Sequence, residues 1–110
     1  MTEGSAPSWT FLTNHAQVLV CIAHDPGVRL REIGEQVGIT ERAAHRIVTE
    51  LAVAGYITRR RNGRRNTYTI SAHFPLPEPI AREQHVGELL KILTSPGQSK
   101  RRGNLTEASG

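Results

Sequence analysis

The chain has one cysteine, few aromatic residues and no long hydrophobic run, and each shortage excludes a class of protein. Cys21 is the only cysteine, so no intramolecular disulfide can form, which fits a reducing compartment. The longest apolar run, Val18 to Ala23, is far short of the roughly 20 residues that a membrane helix needs. Aromatic residues make up 5% of the sequence, which leaves little material for a water-excluding catalytic pocket. These shortages predict a soluble cytoplasmic protein that is not an enzyme and does not contact a membrane.

Residue patterns typical of metal sites and catalytic sites are also missing from the sequence. Cys21 and His24 lie three residues apart, but two ligands do not make a metal site, which usually needs three or four. The other histidines are scattered without ligand spacing, and no nucleophile–base pattern or phosphate-binding glycine loop is visible. We therefore expect no metal, no cofactor and no catalytic residue, and we interpret Cys21 as a core residue.

Positive charge is concentrated in the second half of the chain. The formal net charge of the 110 residues is +4. Residues 1–55 carry four arginines against six acidic side chains, whereas residues 56–110 carry ten basic against four acidic side chains. This asymmetry favours a polyanionic partner for the second half. A basic surface that only aids solubility is the alternative.

The length and the turn signals divide the chain into one folded unit with polar ends. A length of 110 residues suits a single domain. We predict a flexible N-terminus over residues 1–8 and the main domain over residues 9–72. A proline connector with a C-terminal helix follows over residues 73–94, and a disordered basic tail over residues 95–110.

Three helices are predicted in the first half from their apolar spacing and their caps. Thr13 and Thr40 are candidate N-caps, and Gly38 and Gly55 lie where left-handed residues commonly end a helix. The predicted helices are Asn14 to His24, Arg31 to Val37 and Glu41 to Ala54.

A β-hairpin and a last helix complete the predicted fold. Tyr56 to Arg61 and Thr67 to Ser71 are rich in strand formers, and the Asn-Gly pair that opens the intervening loop, residues 62–66, is a strong hairpin signal. The prolines of residues 75–79 predict a stiff extended connector. The last helix is predicted from Ile80 to Thr94, with one apolar face formed by Val86, Leu89, Leu90 and Leu93. We expect this face to pair with a second subunit; packing onto its own domain is the alternative.

The third helix combines an apolar face with a face suited to reading DNA. Only Gly38, Ile39 and Thr40 separate it from the second helix, which is the spacing of a helix-turn-helix. Arg42 and Arg46 are four residues apart and therefore point the same way. Arginine can make bidentate contacts to guanine in the major groove. The same face carries Ala43, His45 and Thr49. An ordinary solvated helix face is the alternative.

The predicted hairpin is strongly basic. Residues 59–65 contain five arginines in seven positions, with no acidic residue among them. Such crowded like charges repel one another, and a phosphate backbone would relieve the repulsion and release counterions. The alternative is a charged edge that prevents sheet aggregation, although one or two charges would suffice for that purpose.

The central residues resemble the winged helix-turn-helix of MarR/ArsR-type transcriptional regulators. LREIGEQVGIT, residues 30–40, resembles the family's second helix and turn. ERAAHRIVTEL, residues 41–51, resembles its recognition helix, and AGYI, residues 54–57, resembles the entry to its wing. The resemblance implies a mainly α fold with a small β-hairpin wing (α+β), built as a three-helix core plus the wing and a C-terminal helix.

The resemblance also implies partners and contact residues. It implies that residues 9–72 bind double-stranded DNA, with base contacts from Arg42, Ala43, His45 and Arg46. It implies wing contacts from Arg61, Arg64 and Arg65, and it places Arg31 and Thr40 near phosphates.

The function expected from the resemblance is a homodimeric transcriptional regulator, most commonly a repressor. Activation stays open, and an effector is unknown. A winged helix that binds a protein partner and a small RNA-binding accessory protein are the other functions that the sequence allows.

Overall fold

The computed structural model describes residues 7–94, which form four α-helices and one β-hairpin. The α-helices are α1 (Asn14–His24), α2 (Leu30–Val37), α3 (Glu41–Ala54) and α4 (Val86–Thr94). The hairpin strands are β1 (Ile57–Asn62) and β2 (Arg65–Ile70). This is the predicted mainly helical architecture with a hairpin. Most of the predicted N-terminal segment, residues 1–6, and the whole predicted tail, residues 95–110, lie outside the described residues.

Local side-chain chemistry sets the helix ends. The Thr13 hydroxyl accepts a hydrogen bond of 3.1 Å from the Ala16 amide, and the Thr40 hydroxyl accepts one of 3.0 Å from the Ala43 amide. Each bond satisfies an amide that the start of a helix leaves without a partner. Gly55 ends α3 with a φ of 90°, in the left-handed region that glycine tolerates. Helices α1 and α3 have their predicted bounds, and α2 begins one residue earlier than predicted.

The core lies where α1, α2 and α3 meet. Its largest fully buried side chains are Val18, Ile22, Ile33, Ile47 and Val48. Gly34 lets α2 approach the turn before α3 closely, because a Cβ at this position would lie 2.7 Å from the Ile39 carbonyl oxygen. The Gly34 carbonyl in turn accepts hydrogen bonds from the amides of Gly38 and Ile39. These contacts fix the short turn from which α3 emerges.

The hairpin is tighter than the sequence predicts. Asn62 pairs directly with Arg65, so the turn consists of Gly63 and Arg64 alone. The predicted loop of residues 62–66 is therefore wrong, because Asn62 ends β1 and Arg65 begins β2. Gly63 has a φ of 67° at the first central position of the turn, as in a type II′ hairpin. The Asn-Gly signal predicted the hairpin, but the predicted loop of five residues is longer than the observed turn of two.

The last helix is shorter than predicted, and its connector folds back instead of extending. The Leu76 amide donates to the Gln84 carbonyl, and the Val86 amide donates to the Phe74 carbonyl. This pairing, with a short 3-10 turn at Pro79–Ala81 between its arms, stops the helix from starting at the predicted Ile80. Helix α4 starts at Val86. The side chain of Glu88 accepts a hydrogen bond from the backbone amide of His85, the residue just before the helix. It packs against α1, so it belongs to the same core as the first three helices.

Candidate nucleic-acid interface

Helix α3 buries one face and exposes the other. Ala44, Ile47, Val48 and Leu51 are buried against the other helices. The predicted contact residues lie on the remaining surface. Arg42, His45 and Arg46 are exposed, and Ala43 and Thr49 are partly exposed. The helix is thus anchored by its apolar side while Arg42, Ala43, His45 and Arg46 face outward. Thr49 departs from the prediction, because its hydroxyl oxygen is buried and has no hydrogen-bond partner among the described residues.

The two arginines of this face differ in their surroundings. Within residues 7–94, Arg46 forms an ion pair and Arg42 does not: Nη1 of Arg46 lies 3.4 Å from Oε2 of Glu50. Oε1 of Glu50 accepts a hydrogen bond of 2.7 Å from Nε2 of His15 on α1. The His15 bond, assisted by the charge of Arg46, holds the pKa of the Glu50 carboxyl below its ordinary value. Glu50 is therefore negative at neutral pH.

The strand register distributes the wing arginines over both faces of the hairpin. Arg59 and Arg61 share a face with the buried Tyr68, whereas Arg60 lies on the opposite face. Arg64 occupies the turn at the tip. All four side chains are exposed. The positive charge therefore surrounds the wing instead of forming a single stripe.

Hydrogen bonds brace the wing against the turn between α1 and α2. The Arg65 guanidinium donates a bond of 3.1 Å to the Gly27 carbonyl, and the Tyr68 amide donates one of 2.9 Å to the Pro26 carbonyl. Arg61 donates through Nε to the Gly63 carbonyl at 3.2 Å. Arg61 and Arg65, two of the three wing residues predicted to contact DNA, thus use part of their hydrogen-bonding capacity within the chain.

A basic groove of about 460 Å³ lies between the wing and the start of α2. Its lining includes Arg31, Arg64 and Arg65, so the structure brings together three predicted contact residues that are up to 34 positions apart. It also includes Arg29, which the sequence reasoning missed. The available signal was a basic residue two positions before the predicted helix start at Arg31, in a region where anions are favoured.

A second, apolar groove of about 590 Å³ lies between α1, the end of α3, the connector and α4. Leu89 and Leu93, two of the four predicted dimer residues, line this groove and are partly exposed. The other two, Val86 and Leu90, are 3% and 6% exposed in the chain's own core. This differs from the expectation that the apolar face of the last helix is open to a second subunit, because only half of that face is accessible.

The described residues hold few groups suited to other chemistry. Cys21 is buried, as expected for a core residue, and burial raises the pKa of its thiol. Across residues 7–94, no three histidine, cysteine or acidic side chains cluster closely enough to bind a metal ion. No helix in the same range is long and apolar enough to cross a membrane.

A third helix anchored by one face, the short turn before it and the basic hairpin after it define a winged helix-turn-helix protein. The chain belongs to the MarR family, whose family model matches residues 10–65. A search of curated proteins gives no significant match.

Two solved structures extend the comparison. The MarR family protein Rv2887 from Mycobacterium tuberculosis, in complex with salicylic acid, has a TM-score of 0.50 and 18% identity, over 87% of this chain and 67% of that chain. The PcaV transcriptional regulator from Streptomyces coelicolor, in complex with its natural ligand, has a TM-score of 0.48 and 20% identity, over 77% of this chain and 62% of that chain. This chain therefore spans about two thirds of the length of these proteins.

The family and the fold together give the class of function. MarR family proteins are transcriptional regulators that bind DNA and are commonly dimeric, so this chain is a transcriptional regulator of the winged-helix type. The predicted resemblance and the predicted fold class are confirmed.

Proposed function

We propose that the chain is a sequence-specific regulator that binds double-stranded DNA in the cytoplasm and represses transcription by occupying its site. The observation that carries this proposal is the exposed face of α3, which holds Arg42 and Arg46 beside a wing with five arginines. An α-helix fits the major groove, and a basic hairpin fits the adjacent phosphates or the narrow minor groove.

The residues of α3 supply the sequence reading. Arg42 and Arg46 point outward and can each make a bidentate contact to guanine, which contributes about 1–3 kcal/mol of discrimination. Ala43 is small and permits close approach to a base edge or a thymine methyl group. The His45 ring nitrogens can reach bases or phosphates, whereas the buried Thr49 hydroxyl has to rotate outward before it can do so.

The residues of the basic groove and the wing supply affinity that does not depend on sequence. Arg31 and Arg64 line the groove between the wing and α2, and Arg29 extends it. Thr40 keeps a hydroxyl proton for a phosphate while its oxygen caps α3. Arg61 and Arg65 act both on the phosphates and on the wing's own geometry.

The chain acts as a homodimer in this proposal. Two copies of α3 then enter successive major grooves about 34 Å apart on a near-palindromic site. The surface available to the second copy is the groove edge formed by Leu89 and Leu93, beside Phe11, which is 88% exposed. A large exposed aromatic side chain beside an apolar groove supports an interface there.

Selection of bound duplexes from a random pool, at stated salt, tests the proposal. We expect a near-palindromic site with half-sites about 10 base pairs apart. The dissociation constant for that site should rise by orders of magnitude between about 50 and 200 mM salt. Arg64→Ala combined with Arg65→Ala should weaken binding to all duplexes, whereas Arg82→Ala in the connector removes one charge remote from the wing and serves as the control.

Three results would contradict the proposal. One is a pool from which no sequence is enriched. Another is equal affinity for an A-form RNA duplex, whose major groove side chains cannot easily read. The third is binding of a protein partner through α3 with no salt-dependent affinity for DNA.

A further inference from the structure

Glu50 connects the DNA-reading face of α3 to α1. Its two carboxylate oxygens have different partners, since Oε1 accepts from His15 at 2.7 Å and Oε2 lies 3.4 Å from the Arg46 guanidinium. His15 and Glu50 are 35 residues apart in sequence. Because a carboxylate only accepts hydrogen bonds, His15 must carry its proton on Nε2 in this contact. The result is a chain of three side chains that runs from α1 to the exposed face.

This arrangement restricts Arg46 and leaves Arg42 free of such a restraint. The two ion pairs within residues 7–94 both involve Glu50. Free arginine side chains populate many rotamers, and ordering one of them on binding opposes affinity. A guanidinium that is already held in one direction loses less conformational entropy when it binds a base. His15 contributes by preventing the Glu50 side chain from following Arg46 into other rotamers.

We propose that Glu50 is a positioning residue for base recognition by Arg46, and that His15 holds Glu50 in place. This inference rests on the proposed DNA-binding function and deepens it. The negative charge of Glu50 also repels the DNA backbone and opposes any pose in which Arg46 turns to a phosphate. Glu50 therefore increases discrimination between sequences while it lowers affinity for DNA of arbitrary sequence.

The test measures discrimination and general affinity separately. Arg46→Ala first identifies the base pair whose preference depends on Arg46. Dissociation constants are then measured for the selected duplex, for duplexes substituted at that base pair, and for an unrelated duplex. We expect Glu50→Gln to reduce discrimination at that base pair about two- to fivefold, the range expected for losing an exposed ion pair. Its affinity for the unrelated duplex should stay equal or rise.

Matched variants separate positioning from charge and from folding. Glu35→Gln removes one exposed carboxylate from α2 and should leave the discrimination ratio unchanged. His15→Ala should reproduce the loss of discrimination, and His15→Gln, which keeps an N–H donor, should restore most of it. In the Arg46→Ala background, Glu50→Gln should have no further effect on discrimination, because the coupled partner is absent.

The possible failures are distinguishable. If the wild-type chain has no sequence preference, both the proposed function and this inference are overturned. If the wild-type chain is sequence-specific and Arg46→Ala changes no base preference, the positioning role alone is overturned. It is also overturned if Glu50→Gln discriminates like the wild-type chain, or if it loses discrimination equally with and without Arg46.

Discussion

At the scale of single residues, the contacts of Glu50 predict a contribution to stability that disappears in acid. The His15 hydrogen bond and the Arg46 charge lower the pKa of Glu50 from its ordinary 4.5. A carboxyl group with a lowered pKa stabilises the fold fully above its unfolded pKa and loses this effect as the pH falls through its folded pKa. We expect Glu50→Gln to unfold at lower urea concentration than wild type at pH 7, with the difference closing below about pH 4.

Glu35→Gln is the control for that measurement, since the described residues give Glu35 no ion-pair partner. An equal difference between Glu50→Gln and wild type at pH 7 and pH 3 would contradict the assignment.

Two neighbouring arginines at the tip of the wing, Arg64 and Arg65, are expected to respond differently to mutation. Arg64 lies in the turn, so Arg64→Ala should weaken binding to every duplex and lower the salt slope by about 1 without changing the melting temperature. Arg65 donates to the Gly27 carbonyl, so Arg65→Ala should in addition increase hydrogen exchange at the Tyr68 amide. If Arg65→Ala leaves exchange in β2 unchanged, the brace does not hold the wing.

At the scale of elements, Gly34 sets the join between α2 and α3. Alanine is normally favoured over glycine inside a helix by roughly 1 kcal/mol. The reverse is expected here, because a Cβ would lie 2.7 Å from the Ile39 carbonyl oxygen. Gly34→Ala should destabilise the chain by about 1–3 kcal/mol, measured by urea unfolding. Gln36→Ala, at an exposed site on the same helix, is the control, and a stabilising Gly34→Ala would show that the turn can relax.

The position of α4 predicts a second element-scale result. Leu90 is 6% exposed in the chain's own core, so Leu90→Ala should cost about 2–5 kcal/mol of stability. The loss should not depend on protein concentration, because the contacts lie within one chain. Leu93→Ala, at a partly exposed site, should cost less. A loss at Leu90 that vanishes at low protein concentration would place Leu90 in an interface between copies.

The elements that were predictable from the sequence are those whose ends depend on neighbouring residues. Thr13 sets the start of α1, and Thr40 and Gly55 set the two ends of α3, through bonds that span three or four positions, so these predicted bounds match the structure. The start of α4 depends on pairing between residues 74–76 and 84–86, which no local pattern encodes. The turn of the wing was predicted too long because Asn-Gly signals a hairpin without fixing the strand register, and Asn62 and Arg65 belong to the strands.

At the scale of the whole molecule, the accessible part of the apolar face of α4 is where the proposed homodimer is expected to form. Leu89→Glu with Leu93→Glu places two charges at the groove and should convert a dimer into a monomer in sedimentation velocity. The same double variant should bind a duplex that carries two half-sites less tightly than the wild-type chain does. Ile80→Glu is the control, because Ile80 is 97% exposed and is not part of the groove lining. A variant that remains dimeric would place the interface elsewhere.

The candidate site was only partly predictable at this scale. The outward residues of α3 follow from helical spacing and the buried face opposite them. The basic groove depends on the wing meeting the start of α2, and the Glu50 contact depends on α1 meeting α3. Both arise from tertiary packing, so Arg29, His15 and Glu50 were not among the predicted contact residues.

Burial of α4 in the same core as the helix-turn-helix has a mechanical consequence. Val86 and Leu90 join this helix to α1, so the surface that would meet a second copy and the helix that would meet DNA share one packed core. In a dimer, any molecule that tilts one copy against the other changes the separation of the two α3 helices directly. Induction would then require only a small rotation between two unaltered subunits.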